Sequence, residues 1–396
     1  MRSIHSVLIL AKFNQYDSKK YFAARLAEAF QRKGIQTRLE LDMDKWQWWS
    51  EPSKDFPDFS CSFNRVLSEN PERTIWKLAP SPHVSFYLDP IFYYMDDIQN
   101  PLSISTCIDH SEYRELLSQG YRNVMLMPHA IERELCAETN QERPYEVSVL
   151  GSCYDPEGIR TYWKSLNLPD NIYKVFDAAI ERVFSDPKVN FVHATSDAFQ
   201  NIGLRIDEKM FQKIANLVDQ YTRGYDRLAL IKSIKKAHVH VFGGTGWTNR
   251  EVPSQGWGFY LAGLPNVTVH PQIGFAESLE VMKKSKIVLN SAPFFIEGSH
   301  ERVFAALACG ALPITNKNLY WSENFIEGEE IEFYQYSDRS AIEDKVNRYL
   351  EDEALRKKVA AAGREKVMKY HTWDNRVELL LQELPPMFER KLQIQK

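Results

Sequence analysis

Cysteine is sparse in this 396-residue chain: five residues at 61, 107, 136, 153 and 309, odd in number and widely spaced, which excludes a disulfide framework. None forms a C-x-x-C pair, so no cysteine metal motif is present, and reduced thiols in a cytoplasmic setting are the expectation. Long apolar runs are also missing. Val7-Leu8-Ile9-Leu10-Ala11 is too short for a signal-peptide core or a bilayer crossing, and no other window approaches a span, which leaves peripheral membrane contact open. There is no excess of basic charge: 49 Lys and Arg against 53 Asp and Glu give a net charge of −4, so nucleic acid is not an expected partner. P-loop, zinc-protease and serine-hydrolase signatures do not occur. The glycine-rich Gly243-Gly244-Thr245-Gly246 lacks the G-x-G-x-x-G spacing and fits a nucleotide-base pocket or a plain turn equally.

What is present is a composition of 44% hydrophobic and 26% charged residues, enough for two or three soluble domains with real cores. Short β-rich runs alternate with helical patterns: Ser6 to Leu10, an amphipathic Ser18 to Lys33, Ile35 to Leu41, Phe59 to Val66, His83 to Leu88, Ile104 to Ile108 and Asn123 to Met127. A linker is expected from Pro128 to Pro144, followed by a second series with strands at Tyr145 to Ser152, His238 to Phe242, Val267 to His270, Ile287 to Asn290 and Leu312 to Thr315. A helical insertion is expected over 155–230. Helices from Ala341 to Leu381 should stop at Pro385-Pro386. This alternation predicts an α/β protein with two doubly wound parallel sheets.

Chemistry concentrates in Ile287 to Thr315, IVLNSAPFFIEGSHERVFAALACGALPIT, which reads as strand, loop, short amphipathic helix and strand. Ser299 is the expected N-cap. A helix start with free N–H groups and partial positive charge binds phosphate, and His300 and Arg302 add donors there. The phosphate role is favoured for Arg302 because a guanidinium matches phosphate oxygens bidentately; the alternative is an ion pair with Glu301 or Glu297 on a solvated helix.

These residues resemble the GT-B glycosyltransferases of group-1 type, in particular the spore-maturation-protein-like bacterial branch. Counting back from Ala306-Leu307-Ala308-Cys309-Gly310, Glu297 matches the first Glu of the family's Glu-x7-Glu pattern, while the second position is Ala305. Tyr145 to Ser152, Val241 to Trp247, Ile273 to Glu277, His83 to Pro90 and Met127 to Ala130 follow in the matching order and spacing.

The resemblance implies two Rossmann-like domains facing a central cleft: an acceptor domain over 1–140, a nucleotide-sugar donor domain over 141–372 and a C-terminal helix over 373–396 returning to the first domain. It implies donor contacts from Gly151, Ser152, Gly243, Gly244, Gly274, Gly298, Ser299, His300, Glu301 and Arg302. Glu297 would orient the donor sugar, and Asp89 and His129, the catalytic candidates for a general base in an inverting route, would meet the acceptor, a glycan, a lipid-linked glycan or a protein. No metal or other cofactor is expected. A rival metal reading rests on Asp42-Met43-Asp44, beside a Trp46, Trp48 and Trp49 segment that either packs or binds acceptor. Ala305 keeps a non-catalytic GT-B-shaped scaffold in play, and a sugar-nucleotide epimerase is a further alternative.

Overall fold

The computed structural model describes residues 3–41, 57–64, 81–99, 103–135, 142–245 and 255–394. Asp42, Asp44, Trp46, Trp48, Trp49, Gly246 and Trp247 lie outside the described residues. The chain divides into two compact units, one of Met1–Leu135, Gly274–Ala276 and Lys366–Lys396, the other of Cys136–Ile273 and Glu277–Glu365.

The first unit is built on β1 (Ser6–Leu10), β2 (Gln36–Glu40), β3 (Phe59–Phe63), β4 (His83–Phe86), β5 (Ser103–Cys107) and β6 (Val124–Leu126), all parallel, in the order β2-β1-β3-β4-β5-β6. Val7 of β1 sits opposite Thr37 on one side and Phe59 on the other. Helices α1 (Ser18–Arg32), α2 (Met95–Ile98) and α3 (His110–Ser118) connect these strands. A parallel sheet covered on both faces must bury every residue of its central strands, and all five residues of β3 are buried. Its two inward serines are satisfied by one ring: Ser60 and Ser62 each bond a nitrogen of buried His83 at 2.9 Å.

The second unit orders β7 (Tyr145–Leu150), β8 (Val239–Phe242), β9 (Val267–His270), β10 (Ser285–Asn290), β11 (Leu312–Asn316) and β12 (Glu332–Tyr334) as β12-β11-β10-β7-β8-β9, again all parallel. Its helices are α4 (Pro156–Ser165), α5 (Asp170–Ser185), α6 (Phe191–Asn201), α7 (Glu208–Ser233), α8 (Trp257–Leu261), α9 (Phe275–Lys283), α10 (Glu301–Ala308), α11 (Leu319–Asn324), α12 (Ala341–Glu351) and α13 (Glu353–Tyr370), the first and last turns of α9 and α13 respectively belonging to the first unit. Val147, Val149, Val239, Val241, Ile287, Leu289, Leu312 and Ile314 alternate into one core. Strand β12 is an element that the sequence reading missed; three residues are too few to display a period.

The last helix, α14 (Trp373–Ile394), packs within the first unit. Trp373 lies 5.9 Å from Phe22 between ring centroids, Phe388 lies 5.6 Å from Phe59, and Arg32 reaches Asp374 with two N–H bonds of 2.8 and 2.5 Å. The expected stop at Pro385-Pro386 is corrected: both prolines lie inside α14. An interior proline costs roughly 3 kcal/mol, but Leu384, Met387 and Phe388 flank the pair and are buried, so packing outweighs the local penalty.

Candidate functional site in the second unit

In open parallel sheets ligands collect outside the C-terminal strand ends where the strand order reverses. In the second unit the chain builds β8 and β9 on one side of β7 and then returns to place β10 on the other. The crevice is therefore bounded by Gly151 and Ser152 after β7, and by Asn290 and Ser291 at the end of β10.

The backbone here is close-packed. Gly151 has a φ of +152°, a value side-chain-bearing residues rarely adopt. Its carbonyl accepts a hydrogen bond from Trp257 Nε1 at 3.0 Å, and Gly243 presses so near that a Cβ there would come within 1.9 Å of the Gly151 oxygen. Gly243 is thus a glycine for packing, while the Gly244 carbonyl binds the Cys153 N–H at 2.8 Å. Asp155 caps α4 through the Gly158 N–H at 2.8 Å and also holds Gln255 N at 2.8 Å and the Tyr260 hydroxyl. This fixes the whole β7 to α4 turn.

Two guanidinium groups converge on that turn. Arg302 Nη2 and Arg227 Nη1 each lie 3.4 Å from the point where a Cβ of Gly151 would stand. They are therefore no more than about 7 Å apart, close enough to repel. Arg302 Nη1 is aimed by Asn290 Oδ1 at 2.7 Å, and Asn290 is held in turn by Thr315 Oγ1 at 2.9 Å. Arg227 donates from Nη1 to the Ser152 carbonyl at 2.8 Å and lies over the Tyr154 ring. Burial pushes the Glu301 carboxyl above the usual carboxylate range, and the attraction of Arg302 and Arg227 opposes that push.

Helix α10 starts one residue later than expected. His300, not Ser299, is the N-cap: its Nδ1 accepts the Arg302 N–H at 3.2 Å and lies 3.1 Å from Glu301 Oε2, while Ser299 is fully buried. The imidazole nitrogen serves as the acceptor that a serine oxygen ordinarily supplies. The loop carrying half-buried Glu297 is pinned from α11, where Asn318 Nδ2 donates to the carbonyls of Phe295 at 3.2 Å and Gly298 at 2.9 Å. Gly298 packs on Phe295, where a Cβ would meet the ring at 2.9 Å.

The structure thus gathers Gly151, Arg302, Glu301 and His300, and adds Arg227, Asn290 and Trp257, which sequence reasoning missed. Gly274 falls in the first unit. Asp89, also there, accepts from Asn64 Nδ2 at 3.0 Å, and His129 is 3% exposed with its carbonyl held by Arg376 Nη2 at 2.8 Å.

Comparison with known proteins bears on the fold and on the family that the chain resembles. Residues 223–382 match the model of a family described as glycosyl transferase-like. Over 290 residues the chain is 23% identical to an uncharacterized protein of Aquifex aeolicus strain VF5, covering 68% of this chain and 67% of that one. Among solved structures it is similar to sucrose-phosphate synthase of Thermosynechococcus elongatus, with TM-score 0.52, 12% identity and coverage of 98% and 100%. It is likewise similar to Anabaena HepE, solved with UDP and glucose, with TM-score 0.53, 10% identity and coverage of 95% and 99%. It spans 54% of the chain of TarM, at TM-score 0.49.

Proposed function

We propose that this chain, a glycosyltransferase of the GT-B fold, transfers a sugar from a nucleoside diphosphate donor held by the second unit to a glycan, lipid or protein acceptor. The observation that carries the reading is the pair of guanidinium groups bracketing Gly151 at the switch point of that sheet. Two planar cations spaced this way match the oxygens of a diphosphate. As the glycosidic bond to the donor breaks, negative charge grows on the departing diphosphate. Arg227 and Arg302, already aimed by Ser152 and Asn290, stabilise that charge without reorganising. This is the role a divalent ion fills elsewhere, so the transfer is proposed to be metal-independent. Glu297, on its pinned loop, would orient the donor sugar, and half-buried Glu301 would accept a hydrogen bond from a donor hydroxyl.

HepE is solved with UDP, which makes UDP the probe of choice. No helix among the described residues is long and apolar enough to cross a membrane, and a cytoplasmic setting is part of the proposal. Calorimetry with UDP, with and without chelator, tests the reading. Equal binding under both conditions is expected. Arg227→Ala and Arg302→Ala should each weaken binding by about 1.5–3 kcal/mol, the worth of a charge-assisted hydrogen bond. Unchanged affinity in both variants would dismantle the site and favour the non-catalytic scaffold.

A further inference from the structure

Asp226 is a buried carboxylate near the site that accepts four side-chain hydrogen bonds, and nothing in the chemistry above uses it. It is 0% exposed. Its Oδ2 accepts from Ser291 Oγ at 2.7 Å and from the Tyr334 hydroxyl at 2.6 Å, and its Oδ1 accepts from Arg339 Nε at 2.9 Å and Nη2 at 2.7 Å. Arg339 is itself held over the rings of Phe184, Tyr336 and Tyr225 at 4.9, 5.4 and 5.7 Å from their centroids. The donors come from three separate places: the end of β10, the end of β12 and the turn before α12.

The covalent neighbours give this network its meaning. Asp226 immediately precedes Arg227 on α7, and Ser291 immediately follows Asn290, whose amide oxygen aims Arg302. One hydrogen bond, Ser291 Oγ to Asp226, therefore joins the residue beside one arginine to the residue beside the other arginine's holder. A buried ion pair kept for stability alone could be exchanged for apolar groups without loss. A link placed between the two arginine supports fixes their separation, and a diphosphate site depends on that separation.

We propose that Asp226 is a positioning residue that sets the spacing of Arg227 and Arg302 through Ser291; the inference rests on the reading that these arginines hold the donor's diphosphate. Burial together with the charge of Asp226 pushes the Tyr334 hydroxyl well above its ordinary value, in keeping with its role as a hydrogen-bond donor to Asp226.

Two single-atom deletions on the same carboxylate oxygen separate positioning from stability. Ser291→Ala cuts the bond that ties Asp226 to the Asn290 strand end. Tyr334→Phe removes an equivalent bond to a residue with no arginine beside it. With the full-length chain, Ser291→Ala should lower UDP affinity about fivefold while Tyr334→Phe keeps it within about twofold, the scale of one buried hydrogen bond. In the free protein, 15N relaxation at the arginine Nε atoms should show greater motion of Arg302 or Arg227 in Ser291→Ala, and no such change in Tyr334→Phe. The proposal is overturned if both variants lose affinity equally, or if Ser291→Ala leaves both affinity and arginine motion as in the wild type. If wild type binds no UDP but Ser291→Ala still loosens the arginines, the clamp stands and the donor reading falls.

Discussion

Helix α7 can approach the β7 to α4 turn only because residue 224 has no side chain. A Cβ on Gly224 would lie 2.3 Å from the Tyr154 carbonyl oxygen and 3.0 Å from its carbon, both backbone atoms. Ordinary contact needs about 1 Å more, and close-packed interiors do not yield that locally, so Gly224→Ala must push the helix away from the turn. Arg227 lies one helical turn further on and would retreat with it. Replacing a helical glycine by alanine stabilises by about 1 kcal/mol, whereas overpacking costs about 1–3 kcal/mol, so overpacking should win and leave a net loss of up to about 2 kcal/mol. UDP affinity should fall further than stability, because a displaced guanidinium forfeits a charge-assisted bond worth about 1.5–3 kcal/mol. Urea unfolding followed by circular dichroism and calorimetry with UDP measure the two losses separately. Gly258→Ala, on α8 with no atom within 4 Å of its would-be Cβ, is the control and should gain stability. If Gly224→Ala is more stable than wild type and binds UDP equally well, the close approach of α7 to Tyr154 is wrong, and so is the placement of Arg227.

Arg143 donates to the carbonyls of Met282 at 3.2 Å, Ser285 at 2.7 Å and Cys309 at 2.8 Å, tying the entry to β7 to the ends of α9 and α10. Arg143→Ala should therefore cost roughly 2–4 kcal/mol in urea unfolding, while Arg143→Lys should recover only part of it. His371 is held by burial, with Arg376 and Lys366 adding repulsion, down to a pKa of about 3. Its unfolded value is near 6.5, so the unfolded chain takes up the proton first: stability is full above pH 6.5 and falls as pH drops towards 3. The loss should reach about 2 kcal/mol by pH 5. His371→Gln should flatten that decline, and an equally steep fall in the variant would refute the assignment.

Every strand but β12 was legible because each sets two to four apolar, aromatic or β-branched residues between turn signals, and the central strands of a parallel sheet are buried on both faces. The helix start at 300 was displaced by one residue, because propensity favours serine as a cap while the fold needs Ser299 buried and lets the His300 ring accept instead. The proline pair misled for a related reason: the local rule was sound, but Leu384, Met387 and Phe388 pack hard enough to carry the helix past it. Arg227 and Asn290 were invisible for a different reason. Each is an ordinary residue on an ordinary element, a helix and a strand end. Only the return of the chain across β7, which the pairing of β10 with β7 establishes, brings them to Gly151.

Ala305 shows how far a family pattern can be carried residue by residue. The resemblance places a glutamate there, yet Ala305 is fully buried in α10, between Phe304 and Ala306, which are equally buried. A glutamate at that position would need to displace its neighbours or leave a carboxylate without water. Residues four apart share a helical face, and on this face the residue one turn nearer the helix start is Glu301. Its carboxylate lies within the electrostatic reach of both Arg227 and Arg302 and carries the cost of burial in a raised proton affinity. A carboxylate placed at 301 remains beside Arg227 and Arg302 at the start of the helix. One placed at 305 would lie a turn deeper, against the core. The chain can therefore lack the second glutamate of the pattern and still keep an acidic group on the correct helical face.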